Sequence, residues 1–162
     1  KIIINQDIDF DKRVKRPPDN MVNTLISFLN SLVYTTVLSE IYKTQLDPTI
    51  SFLHEPGVSR FSLSLDIAEV FKPIIADRLI FSLLNRNQIQ DKHFTQGLEY
   101  LHLYENGSKI ILSEYDKRLK QTINHKESNK EVSYRYLIRL ECYKLIKHFY
   151  GEKEYNPFVI WW

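Results

Sequence analysis

Asn20 to Lys43 reads NMVNTLISFLNSLVYTTVLSEIYK, and its apolar residues recur at helical spacing. Met21, Val22, Leu25, Ile26, Phe28, Leu29, Leu32, Val33, Val37 and Ile41 cover more than one face of such a helix. That pattern is expected when a helix is buried by several neighbours. The segment therefore predicts a central helix, about Asn20 to Lys43, around which the rest of the chain packs. Two prolines, Pro17 and Pro18, precede it, and Asp19 or Asn20 supplies the short polar side chain that caps a first turn. Asn23, Ser27, Asn30 and Ser31 lie within the run. If buried, they need partners inside the core, since an unsatisfied buried amide costs ~1–3 kcal/mol.

Outward from this helix the punctuation is sparse. Asp47-Pro48 and Glu55-Pro56-Gly57 interrupt the pattern, leaving Thr49 to His54 as a short element between two turns. A second helix begins at about Ser62, with Leu63, Ile67, Val70, Phe71, Ile74, Phe81 and Leu84 at spacings of three, four and seven, and Pro73 predicts a kink in it. A short helix is expected over Phe94–Tyr100 and a turn at Asn106-Gly107. Another helix is expected from about Ser108 to His125, in preference to a hairpin through YLHLYENGSKIIL. The loop KESNKE then leads into a last helix, about Val132 to Tyr150, which Gly151 ends by tolerating left-handed backbone. Four glycines and six prolines are few for the many turns of an all-β fold. The expected class is all-α, a helical domain built on a buried central helix.

A chain of 162 residues that is 43% apolar and 13% aromatic can bury one substantial core, so residues 1–162 read as a single domain. The one cysteine, Cys142, cannot form an internal disulfide and belongs to no C-x-x-C pair, which points to a reducing cytoplasm. No uninterrupted run approaches the ~20 apolar residues of a membrane span, and charges break the opening KIIINQDIDFDKR too early for a signal peptide. No membrane association is expected. A formal net charge of +2 makes no case for nucleic acid by itself, so any such case rests on local clusters.

One constellation could carry chemistry. His54 stands at the edge of an element, and Asp66 and Glu69 follow at i and i+3 on one face of the next helix. One imidazole and two carboxylates suit Mg²⁺ or Mn²⁺, whose preference is for hard oxygen donors. A solvated helix face accounts for the same spacing, and the residues alone leave both readings open. Lys12, Arg13, Lys15 and Arg16 could follow phosphates, or could be a solvated linker. Arg135 and Arg139, i and i+4 on one face with Lys144 and Lys147 beyond them, could form a phosphate-facing stripe, but read first as an ordinary solvent face. Glu40, near a helix end, reads as solvent-facing too, and Trp161 and Trp162 as docking on the domain's own core. No Gly-x-Ser-x-Gly elbow surrounds Ser59, Ser62 or Ser64, which disfavours a serine hydrolase.

Four blocks in order, KRPPDNMVNTLISF, LDPTISFLHE, SRFSLSLDIAEVFKPIIADRL and SYRYLIRLECYKLIKH with PFVIWW, resemble the CRISPR-associated integrase and endonuclease family of spacer acquisition. The resemblance implies an α-helical C-terminal catalytic domain. It also implies a preceding β-rich domain, absent from this chain, that forms the homodimer of the full-length protein. Residues 1–15 then read as the linker from that domain. His54 matches the family's metal-binding histidine, Glu69 its metal-binding acid and Asp66 an acid one turn earlier. The family's remaining ligand, a glutamate upstream of the RPPD block, has no counterpart here. The implied activity is divalent-metal-dependent cleavage and joining of DNA, integrating new spacers by transesterification with Mg²⁺ or Mn²⁺. Arg13, Arg16, Arg60, Lys72 and Arg78 are candidates for phosphate contacts, which position DNA without reading its sequence. The implied partners are branched or spacer-end DNA and the small second protein of the adaptation complex. The alternative from another class is a non-catalytic helical module that binds DNA or protein.

Overall fold

The computed structural model describes residues 20–50, 61–95, 101–125 and 129–159. Helix α1, Met21–Ile41, is the expected central helix. Asn20 is its cap, the side-chain oxygen accepting from the Asn23 N–H at 2.8 Å. Leu25, Leu29, Val33, Val37 and Ile41, four residues apart, are fully buried and form one continuous stripe. Such an i, i+4 ridge is the surface that neighbouring helices grip. Its 21 residues are long and apolar enough to cross a bilayer by length and composition, and here that apolar length is the core against which the helices Ser62–Lys72 and Tyr134–Phe149 pack. The polar residues of α1 divide by face. Asn23 is buried, Thr36 shares a 2.8 Å hydrogen bond with the Tyr115 hydroxyl, and Ser31 faces solvent, donating to the Ser27 carbonyl.

Helix α2, Ser62–Lys72, leads through a π-helical turn, Pro73–Asp77, into α3, Arg78–Asn85. The expected interruption at Pro73 is therefore a widened turn inside a nearly continuous rod. Proline has no N–H to donate to the carbonyl four residues back, and a π turn is one way a helix absorbs that loss. Arg118 reaches across from a later helix, Glu105–Lys120, and donates to the carbonyl of Ile74 at 2.8 Å, so the widened turn keeps a partner.

The middle of the chain departs from expectation. In the Phe94–Tyr100 segment, Phe94 and Thr95 are not helical: Phe94 bridges Leu103 antiparallel, and the Thr95 N–H donates to the His102 carbonyl at 2.8 Å. The rest of that expected helix lies outside the described residues. Asn106-Gly107 is no turn but the first turn of α4, Glu105–Lys120. Gly107 is there for close approach. A Cβ at that position would stand 2.9 Å from Leu103 Cδ1 and 3.0 Å from His93 Cβ.

The helix expected to run to His125 stops at Lys120, and Thr122–His125 is a strand, β1, paired antiparallel with β2, Lys130–Ser133. Ile123 faces Val132 in that register. Apolar β-branched pairs of this kind outweigh weak helix propensity once a partner strand is present. Asn129, at φ 48°, takes the left-handed backbone in the turn, which asparagine tolerates. The hairpin consumes the start of the expected last helix, so α5 is Tyr134–Phe149, capped by Ser133. Its end is as read. Gly151 has φ +73°, its N–H donates to the His148 carbonyl, and the Glu152 N–H reaches Lys147, closing a Schellman turn. The molecule is mostly helical with one two-stranded sheet among the described residues, in keeping with the all-α class.

Candidate metal and DNA site

Of the site residues read from sequence, α2 carries two. Asp66 lies on its buried face, 4% exposed, turned toward the interior with Leu63, Ile67 and Phe71. Glu69, one turn on, points outward with its side chain 56% exposed and pairs with Lys72. The two acids share a helix but stand at the border between core and solvent, one on each side. His54, Arg13, Arg16 and Arg60 lie outside the described residues. Among the described residues no group of three His, Cys, Asp or Glu gathers as a metal site. The outward Glu69 carboxylate is a hard oxygen donor of the kind Mg²⁺ or Mn²⁺ takes, whereas Asp66 is turned into the core, so an ion there would require further ligands from elsewhere in the chain.

Of the five cations read as candidate phosphate contacts, the two among the described residues, Lys72 and Arg78, are placed differently. Lys72 is the ion-pair partner of Glu69. Arg78 opens α3, half-buried, and its charge is felt at Arg118. Burial holds Arg118 below its ordinary value; Tyr134, whose ring centre lies 4.5 Å away, opposes the shift, and Arg78 adds to it more weakly. Asp77, between Lys72 and Arg78, has its carboxyl pushed up by burial, with Lys72 pulling the other way. The join between α2 and α3 thus concentrates charge on an irregular turn.

Two buried acids carry networks that sequence reasoning missed or misread. Glu40 does not face solvent. It is fully buried, and Arg139 holds it with Nε at 2.8 Å and a terminal nitrogen at 2.7 Å, both on Oε2. Lys43 reaches Oε1 at 2.7 Å, and Arg135 stands 3.7 Å away. Arg135 and Arg139 are accordingly not an ordinary solvent face; they converge on the C-terminal end of α1. Their i, i+4 spacing was legible, whereas the carboxylate they share lies about a hundred residues away in sequence and no local pattern connects them. Glu141, also buried, accepts from the Tyr155 hydroxyl at 2.7 Å and the Phe158 N–H at 2.9 Å.

Comparison with known proteins places these features in a family. The family model for CRISPR associated protein Cas1 matches residues 1–117. A CRISPR-associated endonuclease Cas1 of Fusobacterium nucleatum is 66% identical over 161 residues, covering 99% of this chain and 48% of the relative. A namesake from Methanocaldococcus jannaschii is 51% identical over 155 residues, 96% of this chain and 48% of the relative. Among solved structures, a Cas1 protein from Thermotoga maritima superposes with a TM-score of 0.82 at 48% identity, covering 92% of this chain and 46% of that one. A casposase bound to its integration product superposes at 0.81 with 29% identity, over 90% of this chain and 42% of that one. The chain spans about half the length of the curated relatives it matches. With a family match over most of its length and a helical fold shared with a solved member, the chain belongs to the Cas1 family of CRISPR-associated proteins.

Proposed function

We propose that this chain is the helical catalytic part of a CRISPR-associated endonuclease and integrase that joins new spacer DNA into a repeat array. The observation that carries the reading is the pair Asp66 and Glu69 on one turn of α2, in a chain 66% identical to a relative named as an endonuclease. The casposase neighbour, solved with an integration product, supports strand joining over simple hydrolysis. His54 and Glu69 would hold a divalent cation, Mg²⁺ or Mn²⁺, together with an acid from upstream in the full-length protein. When bound, such an ion polarises a scissile phosphate and stabilises the charge that develops on it. Asp66, withdrawn into the core, orients the others instead of reaching the substrate. Lys72 neutralises Glu69 until the site is loaded, and Arg78, with Arg13, Arg16 and Arg60, contacts phosphates and sets the position of the strand. A 3′-hydroxyl attacks the phosphorus in line, one P–O bond forms as another breaks, and the departing oxygen takes up a proton. The partners are DNA ends, a second copy of the full-length protein, and the small second protein of the adaptation complex. Two solved Cas6-RT-Cas1–Cas2 complexes share the fold at 16% identity.

The test is strand joining and cleavage of branched DNA in Mn²⁺, using the protein extended upstream to its natural start, beside His54→Ala and Glu69→Ala. Loss in both variants, with DNA affinity retained, is the expected result. Activity untouched by either substitution, or DNA binding that depends steeply on salt but not on EDTA with no cleavage, would leave a non-catalytic binding module as the better description.

A further inference from the structure

The segment after α5, Gly151–Val159, has no regular secondary structure, yet its stretch Tyr155–Phe158 is held from two sides. On one side it is held by Glu141, a carboxylate on α5 with 1% exposure. Oε1 accepts both the Tyr155 hydroxyl and the Phe158 N–H, and Oε2 pairs with Lys144 at 3.2 Å. Lys144 in turn donates to the Asn156 carbonyl at 3.2 Å, so the same two α5 residues grip the segment at three points. On the other side the Phe158 ring stacks on Phe71 of α2, with centroids 6.3 Å apart and planes 6° from parallel. Phe71 lies two residues beyond Glu69. The strap therefore bridges from α5 to the stretch of α2 that carries both candidate acids.

A buried carboxylate is costly unless its oxygens are occupied, and an irregular segment is entropically expensive to order. Glu141 meets both requirements at once: the strap satisfies the carboxylate, and the carboxylate orders the strap. We propose that Glu141 is a positioning residue, which acts through Tyr155, Phe158 and the strap Gly151–Val159 to set the placement of α2 and hence of Asp66 and Glu69. The inference rests on the metal reading given above. Direct hydrogen-bond partners of metal ligands change affinity or activity about 10–100-fold when removed, and a brace one step further out belongs at the low end of that range.

The experiment uses the full-length protein and reads bound against free Mn²⁺ by electron paramagnetic resonance, with thermal denaturation alongside. Tyr155→Phe keeps the ring and deletes the hydrogen bond; it is expected to raise the Mn²⁺ Kd about tenfold at a temperature well below unfolding. Glu141→Gln, which still offers an oxygen to Tyr155 and Phe158, should stay within a few-fold of the parent, and Glu141→Ala should not. A purely structural role would lower the melting temperature in these variants and leave the Mn²⁺ Kd unchanged. That result, with binding still lost in His54→Ala, would overturn the positioning role and leave the metal site standing. If the parent itself bound no Mn²⁺, both readings would fall together.

Discussion

Arg139 and Glu40, on α5 and α1, form a two-nitrogen contact at 2.8 and 2.7 Å around a carboxylate that is fully buried. The pair ties the end of the central helix to the last helix, and it raises the Arg139 value through the hydrogen bond that Glu40 accepts. Lys43 and Arg135 add further positive charge to the same acid.

Removing one partner of this contact strands the other. Arg139→Ala is expected to destabilise the fold toward the low end of the ~3–5 kcal/mol typical of a broken buried pair, since Lys43 still neutralises Glu40 in part. Glu40→Leu combined with Arg139→Leu should recover much of the loss, because two apolar side chains carry no desolvation penalty. Denaturant unfolding of the single and double variants measures both effects. A double variant no more stable than Arg139→Ala would contradict the account.

Gly107 offers a test in which helix propensity and packing oppose each other. Alanine is favoured over glycine inside a helix by ~0.8–1.0 kcal/mol. Its Cβ, however, would meet Leu103 Cδ1 at 2.9 Å and His93 Cβ at 3.0 Å, where the chain before α4 crosses close to it. The Leu103 tip can swing away, but His93 Cβ is fixed to a backbone whose N–H and carbonyl are both hydrogen-bonded, to Gln90 and Tyr104. Overpacking costs ~1–3 kcal/mol, so Gly107→Ala should lower stability despite its better propensity. A rise in the melting temperature would show that the contact relaxes freely.

Asp77 gives a pH dependence with a definite sign. Burial raises its folded-state value above the ordinary 3.8, with Lys72 opposing. A carboxyl raised on folding contributes stability below its unfolded value and loses that contribution as pH rises through the higher folded one. At neutral pH its charge is therefore a liability. Asp77→Asn is expected to raise the melting temperature at pH 7, and the difference from the parent should shrink as pH falls toward 4. Parallel melting curves across that range, or a variant that is less stable at pH 7, would mean that Asp77 has a favourable partner outweighing burial.

How much of this could be read in advance follows from the range of the interactions involved. Helix α1, its Asn20 cap, the break at Pro73 and the Gly151 stop depend on neighbours within a turn or two, and their residue types announce them. The acids Asp66 and Glu69 were legible as a pair because i, i+3 spacing is a property of any helix. Their division between core and surface was not, since it depends on what packs against α2. The hairpin of Thr122–His125 with Lys130–Ser133 was hidden for the same reason: a four-residue strand has little signal until its partner satisfies its backbone. Asn106-Gly107 misleads because the pair is suited to turns, while its position here is decided by how closely His93 and Leu103 approach.

By itself, then, the sequence determined the helical class, the central helix and its ends, and the motif order that marks the family, all carried by local chemistry or by residue identity. Only the tertiary structure decided that Glu40 is buried against Arg139, that Glu141 fastens the C-terminal strap to the helix bearing the acids, and that Arg118 crosses to the widened turn after Pro73. Each of these joins residues far apart in the chain. Charge and hydrogen-bonding capacity can be read from sequence, but the partner that satisfies them is chosen by which surfaces the core brings together.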